Sequence, residues 1–279
     1  MKKEPYYDPK PVRYPFPSYT DEHYLVVKKD DGTVFDSSYP YVDNSKKGKR
    51  KKGWGNFLLR FIVYPMTKIK LGLRIEGKEN LRKYKEVLSK GAIMVSNHVH
   101  MWDYLAIRSA LKRKMVGVLV WKKNISGEFG PMMRMVGGIP IPEGDFKATE
   151  VFTKDVNNFL QTGGLLQIYA EGSMWEYYKP IRPFKVGPAY FAVNNDKPIL
   201  PMAFSYRPIG FIRKAFGQLA TFTLHIGEPI FPNKELEGKD AQADMLLRVH
   251  DEVCRLAGID PKENLYNPIF HSDHRVDYY

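Results

Sequence analysis

Residues 92–111 read AIMVSNHVHMWDYLAIRSAL, and two structural periods meet inside this stretch. Residues 92–96 open with an unbroken apolar run, the pattern of a strand covered on both faces. From Asp103 onward, DYLAIRSAL reads as a helix. An aspartate in the first turn of a helix meets the positive end of the dipole, which favours its ionised form. His98 and Asp103 lie five residues apart. In one continuous helix that offset is about 500°, so the two side chains would diverge. They meet only if the chain bends between strand and helix, and this stretch provides the bend.

Such a pair has a defined chemical use. A neutral imidazole takes a proton from a substrate hydroxyl, while the carboxylate fixes the ring tautomer and stabilises the cation formed. His100 has Leu105 at the matching offset, so His98 is the candidate base. The bare HxxxxD spacing is unspecific, because a capping aspartate beside a buried histidine explains it equally well. The rest of the chain has to decide.

Outward from this stretch, strands are expected over 73–76, 92–96, 115–120, 138–141, 165–169, 199–204 and 221–226. Helices are expected over 79–89, 103–112, 146–162, 183–194 and 240–257. The helix over 146–162 is the best marked. Phe152, Val156, Phe159 and Leu160 share one face, Asp145 is a candidate cap, and Gly163-Gly164 ends it. Strands alternating with helices imply one α/β domain around a central mixed, mostly parallel sheet flanked by helices.

Composition narrows the partners. The chain has 279 residues, a formal net charge of +12 and one cysteine, Cys254, so an intrachain disulfide is excluded. Positive charge favours nucleic acid, anionic lipid or phosphate-bearing substrates. No recognised nucleic-acid motif accompanies the charge, and no nucleic-acid partner is expected. Residues 1–53 are rich in Pro, Tyr, Asp and Lys and read as an extended arm, with a short strand or hairpin around 24–35. They finish in the basic run KKGKRKK at 46–52. Beyond it, Trp54, Phe57, Leu58, Phe61 and Ile62 form an apolar helical stripe that Pro65 is expected to interrupt. A greasy helix beside a polybasic run fits an amphipathic segment lying on an anionic membrane surface; an ordinary core helix is the alternative. No window supplies the ~20 apolar residues of a spanning helix. The expectation is a protein that is soluble or peripheral.

Three further stretches point at one site. Residues 165–173, LLQIYAEGS, read as a second buried strand ending in Glu171-Gly172-Ser173. Gly172 offers a turn whose amides can meet an oxygen, and Lys179, Arg182 and Lys185 follow nearby. VGGIPI at 136–141 lies between the two strand ends. Loops at strand ends are where open α/β sheets place their sites. No third His or Cys joins His98 and His100 at ligand spacing, so no metal is expected.

Taken in order, these blocks resemble the glycerolipid acyltransferases typified by 1-acylglycerol-3-phosphate acyltransferase. GLRIEGKENL precedes the first core strand, SNHVHMWDYLAI matches the family's NHxxxxD block, VGGIPI its second, AEGS with PFKVGPAYFA its third, and KPILPMAF its fourth. The resemblance implies acyl transfer from acyl-CoA or acyl carrier protein to a lipid hydroxyl such as that of a lysophospholipid, without a cofactor. It implies His98 as general base and Asp103 as its partner, with Asn97, Glu171, Gly172, Ser173 and Lys185 around the substrates. It implies a place on the cytoplasmic, inner face of the cell membrane. The chain departs from the pattern at Met174, where the family carries a phosphate-gripping arginine, and at Glu143, where a basic residue is usual. These departures leave the acceptor open and give a noncatalytic lipid-surface protein of the same fold as the rival reading. The expected organisation is a basic arm over 1–53, an interfacial segment over 54–73, the catalytic domain over 74–260 and a tail over 261–279.

Overall fold

A computed structural model describes residues 7–9, 30–42, 55–111, 115–215 and 217–266. The basic run at 46–52, the first half of the expected hairpin and the end of the tail lie outside them. Among the described residues seven strands form one sheet: β1 (Arg74–Glu76), β2 (Ala92–Val95), β3 (Val116–Trp121), β4 (Gly138–Ile141), β5 (Leu165–Ile168), β6 (Ile199–Arg207) and β7 (Thr221–Ile226). Their order across the sheet is β1-β7-β6-β2-β5-β3-β4. Every pairing is parallel except β6 with β7. β2 sits between β5 and β6, with Ala92 opposite Leu165 and Ile93 opposite Ile199. All four of its residues are buried, as are those of β5. That is why both read as continuous apolar runs rather than alternating ones.

One helix layer covers each face. α7 (Phe146–Gln161), α8 (Gly187–Asn195) and α10 (Gly238–Ala257) bring Phe152, Leu160, Phe191 and Val253 against one side. α1 (Tyr64–Leu71) and α4 (Asp103–Leu111) bring Leu71, Leu105 and Ile107 against Leu200, Phe204 and Phe222 on the other. Asp145 caps α7 by accepting from the Ala148 amide at 3.1 Å. Gly91 enters β2 with φ of +100°, and a Cβ there would lie 2.1 Å from the Leu160 carbonyl. Only glycine fits that crossing.

The structure departs from the sequence reading in instructive places. The expected helix over 79–89 is broken into α2 (Lys78–Lys83) and α3 (Lys85–Ser89) at Tyr84, whose hydroxyl donates to Glu228 at 2.7 Å. α8 begins at Gly187 rather than Pro183. The Arg182 amide donates to Glu171 and the Lys185 amide to the Ala170 carbonyl, so this backbone is tied to the end of β5. Three short helices, α5 (Lys122–Ser126), α6 (Gly130–Met135) and α9 (Phe211–Ala215), have too few turns to show a period.

Pro65 does not end the first helix. The backbone stays helical from Gly55 to Leu71, with a π-helical turn over Leu59–Val63 in which the Tyr64 amide reaches the Leu59 carbonyl. That wider turn accommodates a proline ring that would clash in a regular α-helix. Leu59 faces the core, while Phe57, Phe61, Ile62, Met66 and Ile69 are exposed. Residues 30–42 also differ from an extended arm. Tyr41 is buried, packs edge-on against Phe152 and donates to the Phe35 carbonyl at 2.9 Å. The Val42 amide donates to Asp155 and the Asp31 amide to the Ser126 carbonyl.

Candidate active site

β2 and β5 are parallel neighbours, so their carboxyl-terminal ends lie side by side at one edge of the sheet. The chain leaves β2 through Ser96 and Asn97, bends over 98–102 and enters α4 at Asp103. Asp103 is completely buried, and one of its oxygens, Oδ2, organises the bend. It accepts from the Val99 amide at 2.7 Å and the His100 amide at 2.9 Å, and lies 3.1 Å from His98 Nδ1. The expected bend is therefore present and the two side chains meet. The tautomer that donates from Nδ1 to this carboxylate is the one that leaves the lone pair on Nε2. The His98 side chain is 23 % exposed while that of Asp103 is 0 %. A partly exposed imidazole is thus held by a carboxylate closed to water.

The segment after β5 clamps the same bend. Glu171 is buried and accepts the His98 amide at 2.9 Å through Oε2. The Trp175 amide donates to the His98 carbonyl and the Tyr177 amide to the Val99 carbonyl. Arg182, equally buried, donates through Nη2 to Glu171 at 2.9 Å and through Nη1 to Ser173 Oγ at 2.8 Å. Its guanidinium lies 4.4 Å from the centre of the Trp175 ring. Glu171 Oε1 accepts the Arg182 amide at 3.0 Å, so both carboxylate oxygens are engaged within the protein.

These contacts change the reading of several residues that the sequence placed around the substrates. Asn97 is buried, donates to the Phe204 carbonyl at 3.0 Å and accepts the Phe204 amide at 2.7 Å. Its amide acts as a rung between the end of β2 and β6. Glu171 and Ser173 are spent on Arg182 and on the His98 backbone. Gly172 is exposed, with φ of +83°, and its amide donates to the Tyr169 carbonyl at 3.0 Å, so that N–H is not open to an oxyanion. Lys185 is exposed beside the end of β5, where its own amide holds the Ala170 carbonyl at 2.8 Å. Arg182, one of the cations that follow the Glu171 turn, is the buried partner of Glu171. Glu143 accepts from Trp121 Nε1 at 2.9 Å and pairs with Lys122 at 3.0 Å.

Sequence reasoning missed three aromatic neighbours of the histidines. Tyr169 stacks on the His98 ring with centroids 3.8 Å apart and planes 15° from parallel. His100 is buried between Tyr177 and Phe222, and burial pushes its imidazole below the ordinary histidine range despite Asp103 and Glu176. The signal for Tyr169 was its position two residues before Glu171 at a strand end.

A second histidine–carboxylate line looks similar and is not equivalent. His225 Nε2 lies 2.7 Å from Ser205 Oγ, and His225 Nδ1 lies 3.2 Å from Glu76. Ser205 is in mid-strand, opposite Thr223 in the β6–β7 ladder, and is buried. It has no strand-to-helix turn that would aim amides at a tetrahedral oxygen. Among the described residues, no group of three His, Cys, Asp or Glu is placed to hold a metal.

Comparison with known proteins bears on this site directly. No curated protein matches the chain. Among solved structures it is similar to the 1-acyl-sn-glycerophosphate (LPA) acyltransferase PlsC from Thermotoga maritima. That similarity has 16 % identity, covers 77 % of this chain and 84 % of the other, and has a TM-score of 0.46. A family model described as Acyltransferase matches residues 72–205. The matched stretch is the segment that runs from β1 into β6 and gathers His98, Asp103 and Glu171, so this part of the chain is similar to the acyltransferase family.

Proposed function

We propose that this protein is an acyltransferase that moves a fatty acyl group from a thioester, acyl-CoA or acyl carrier protein, to the hydroxyl of a membrane lipid such as a lysophospholipid, in glycerolipid synthesis. The observation that supports this most is the contrast within one pair: Asp103 sealed, His98 open, 3.1 Å apart. In this reading His98 Nε2 takes the proton of the acceptor hydroxyl as that oxygen attacks the thioester carbonyl carbon. Asp103 holds Nδ1 and faces the imidazolium. When the tetrahedral intermediate collapses, the C–S bond breaks and the proton passes from Nε2 to the departing sulfur. The products are an ester and a free thiol. Lys185, exposed at the end of β5, is the cation proposed to meet the acceptor headgroup.

The membrane is proposed as the place of reaction. Phe57, Phe61, Ile62, Met66 and Ile69 line one exposed helix face, with Arg60, Lys68 and Lys70 among them. Lys70 Nζ lies 4.7 Å above the Trp102 ring, which joins this helix to the His98 bend, and Met101 is exposed there. Arg213 ties α9 to the same helix by donating to the Ile69 and Lys70 carbonyls, and Phe211 and Ile212 beside it are 86 % and 73 % exposed. Among the described residues no helix is long and apolar enough to cross a membrane. Apolar side chains interspersed with cations suit interfacial binding to anionic lipid, which favours the inner face of the cell membrane. The acceptor hydroxyl then reaches His98 without leaving the bilayer.

The test incubates the purified protein with labelled acyl thioesters and a lipid extract, reading free thiol and the lipid that gains label. Acceptor-dependent thiol release, lost by about 10³-fold or more in His98→Ala with unchanged melting, is expected. Undiminished release in that variant, or release with no acylated lipid, refutes the reading. Flotation on anionic vesicles tests the surface: Phe61→Asp with Phe211→Asp should abolish it, and equal flotation refutes it.

A further inference from the structure

We infer that Tyr169 is a positioning residue for the His98 base, acting through its ring and not its hydroxyl. The inference rests on the proposed role of His98. A single hydrogen bond from Nδ1 to Asp103, at 3.1 Å, directs the imidazole but leaves its plane free to tilt about the bond. The plane is set by the flat contact with Tyr169, at 3.8 Å and 15°. With Asp103 on one nitrogen and an aromatic face beneath the ring, Nε2 has one direction left. The same face favours the imidazolium that forms as the hydroxyl proton is taken, because the ring's negative quadrupole attracts a cation.

Tyr169 is itself well fixed. It follows β5 directly, and its carbonyl accepts the Gly172 amide at 3.0 Å in the turn that leads to the Glu171 contact with the His98 backbone. One strand end therefore holds the catalytic bend twice, by carboxylate at its amide and by ring at its side chain. The hydroxyl contributes neither hold. It is buried and, among the described residues, has no hydrogen-bond partner. Burial, reinforced by the charge of Asp103, keeps the phenol protonated far beyond ordinary pH, so it has no part in proton transfer.

The experiment compares Tyr169→Phe, which keeps the ring, with Tyr169→Leu, which keeps only apolar bulk. Protein labelled at histidine Cε1 gives the His98 proton resonance without substrate. Stacking shifts it upfield; the shift should persist in the Phe variant and vanish in the Leu variant. In acyl transfer, the Phe variant should stay within about twofold of wild type. The Leu variant should lose about tenfold in kcat with KM little changed, the size expected for losing a ring–cation contact at a partly desolvated site. A His98 resonance unmoved in the Leu variant overturns the inference, as does a Phe variant as impaired as Leu. If wild-type protein proves inactive, the proposed function fails separately, and the resonance still decides whether Tyr169 holds the ring. If the Leu variant does not fold, Tyr169→His, which restores a flat ring, takes its place against Tyr169→Val.

Discussion

Glu171→Gln separates a residue that holds substrate from one that holds the site together. Glu171 and Arg182 have side-chain exposures of 2 % and 1 %, with 2.9 Å between Oε2 and Nη2. Replacing the carboxylate by an amide leaves the guanidinium buried without a counter-charge, and removing one partner of such a pair costs about 3–5 kcal/mol. It also turns an NH₂ toward at least one of two N–H donors, those of His98 and Arg182. Domains have about 5–15 kcal/mol in total, so the variant should fold yet be clearly weakened. At about 2–4 °C per kcal/mol for a chain of this size, its melting point should fall by roughly 6 to 20 °C. Because the His98 amide loses its anchor, kcat should fall at least tenfold while acceptor KM stays within about twofold, the pattern of a lost transition-state arrangement. Glu171→Gln combined with Arg182→Met removes the stranded charge and should recover much of the lost stability. Urea unfolding followed by circular dichroism and a thiol-release assay on the same samples supply the readings. A single variant melting within about 2 °C of wild type, or one impaired only in KM, refutes the reasoning.

Other consequences are checked in the same assays. Asn97→Ala removes two buried hydrogen bonds with Phe204 and should cost about 2–4 kcal/mol in urea unfolding, with KM unchanged in what remains folded. Tyr41→Ala should cost about 3 kcal/mol, the scale of a large-to-small change at a buried ring; truncation through residue 53 therefore removes part of the core, and the role of the basic run is better tested by replacing its lysines and arginine with glutamine. His100, His225 and His250 are all held below the ordinary value of 6.5, burial being the largest cause in each. The unfolded chain then binds more protons than the folded one as pH drops below about 6.5, so stability should decline from there downward, and His250→Gln should flatten the decline measured by urea midpoints between pH 7.5 and 5. The Cys254 thiol, fully buried and pushed up to about 12, should stay unreactive to thiol reagents at pH 8 until the protein is unfolded.

Much of the architecture follows from local pattern. The continuous apolar runs of β2 and β5 mark buried parallel strands, and the spacing along α7 marks a helix capped at Asp145. The bend between His98 and Asp103 follows from the change of period between 92–96 and 103–111, because no single element lets residues five apart meet. Short helices such as α5, α6 and α9 had no period to read. The proline at 65 announced a break that a π turn absorbed, since a proline's cost depends on whether the helix before it can widen.

What only the tertiary structure decided is the division of labour around His98. Sequence order groups Asn97, Glu171, Ser173 and Arg182 with the chemistry, and they are indeed close to it. Whether a polar side chain near a site touches substrate or protein depends on which neighbours compete for its hydrogen bonds, and those neighbours come from elsewhere in the chain. Phe204 takes Asn97; Arg182 takes Glu171 and Ser173; Tyr169 takes the face of the imidazole. Each partner lies between 9 and 107 residues away, beyond the reach of a local pattern. Backbone propensity and apolar period are local properties and can be read along the chain, whereas the satisfaction of buried polar groups is settled only when the strands are side by side.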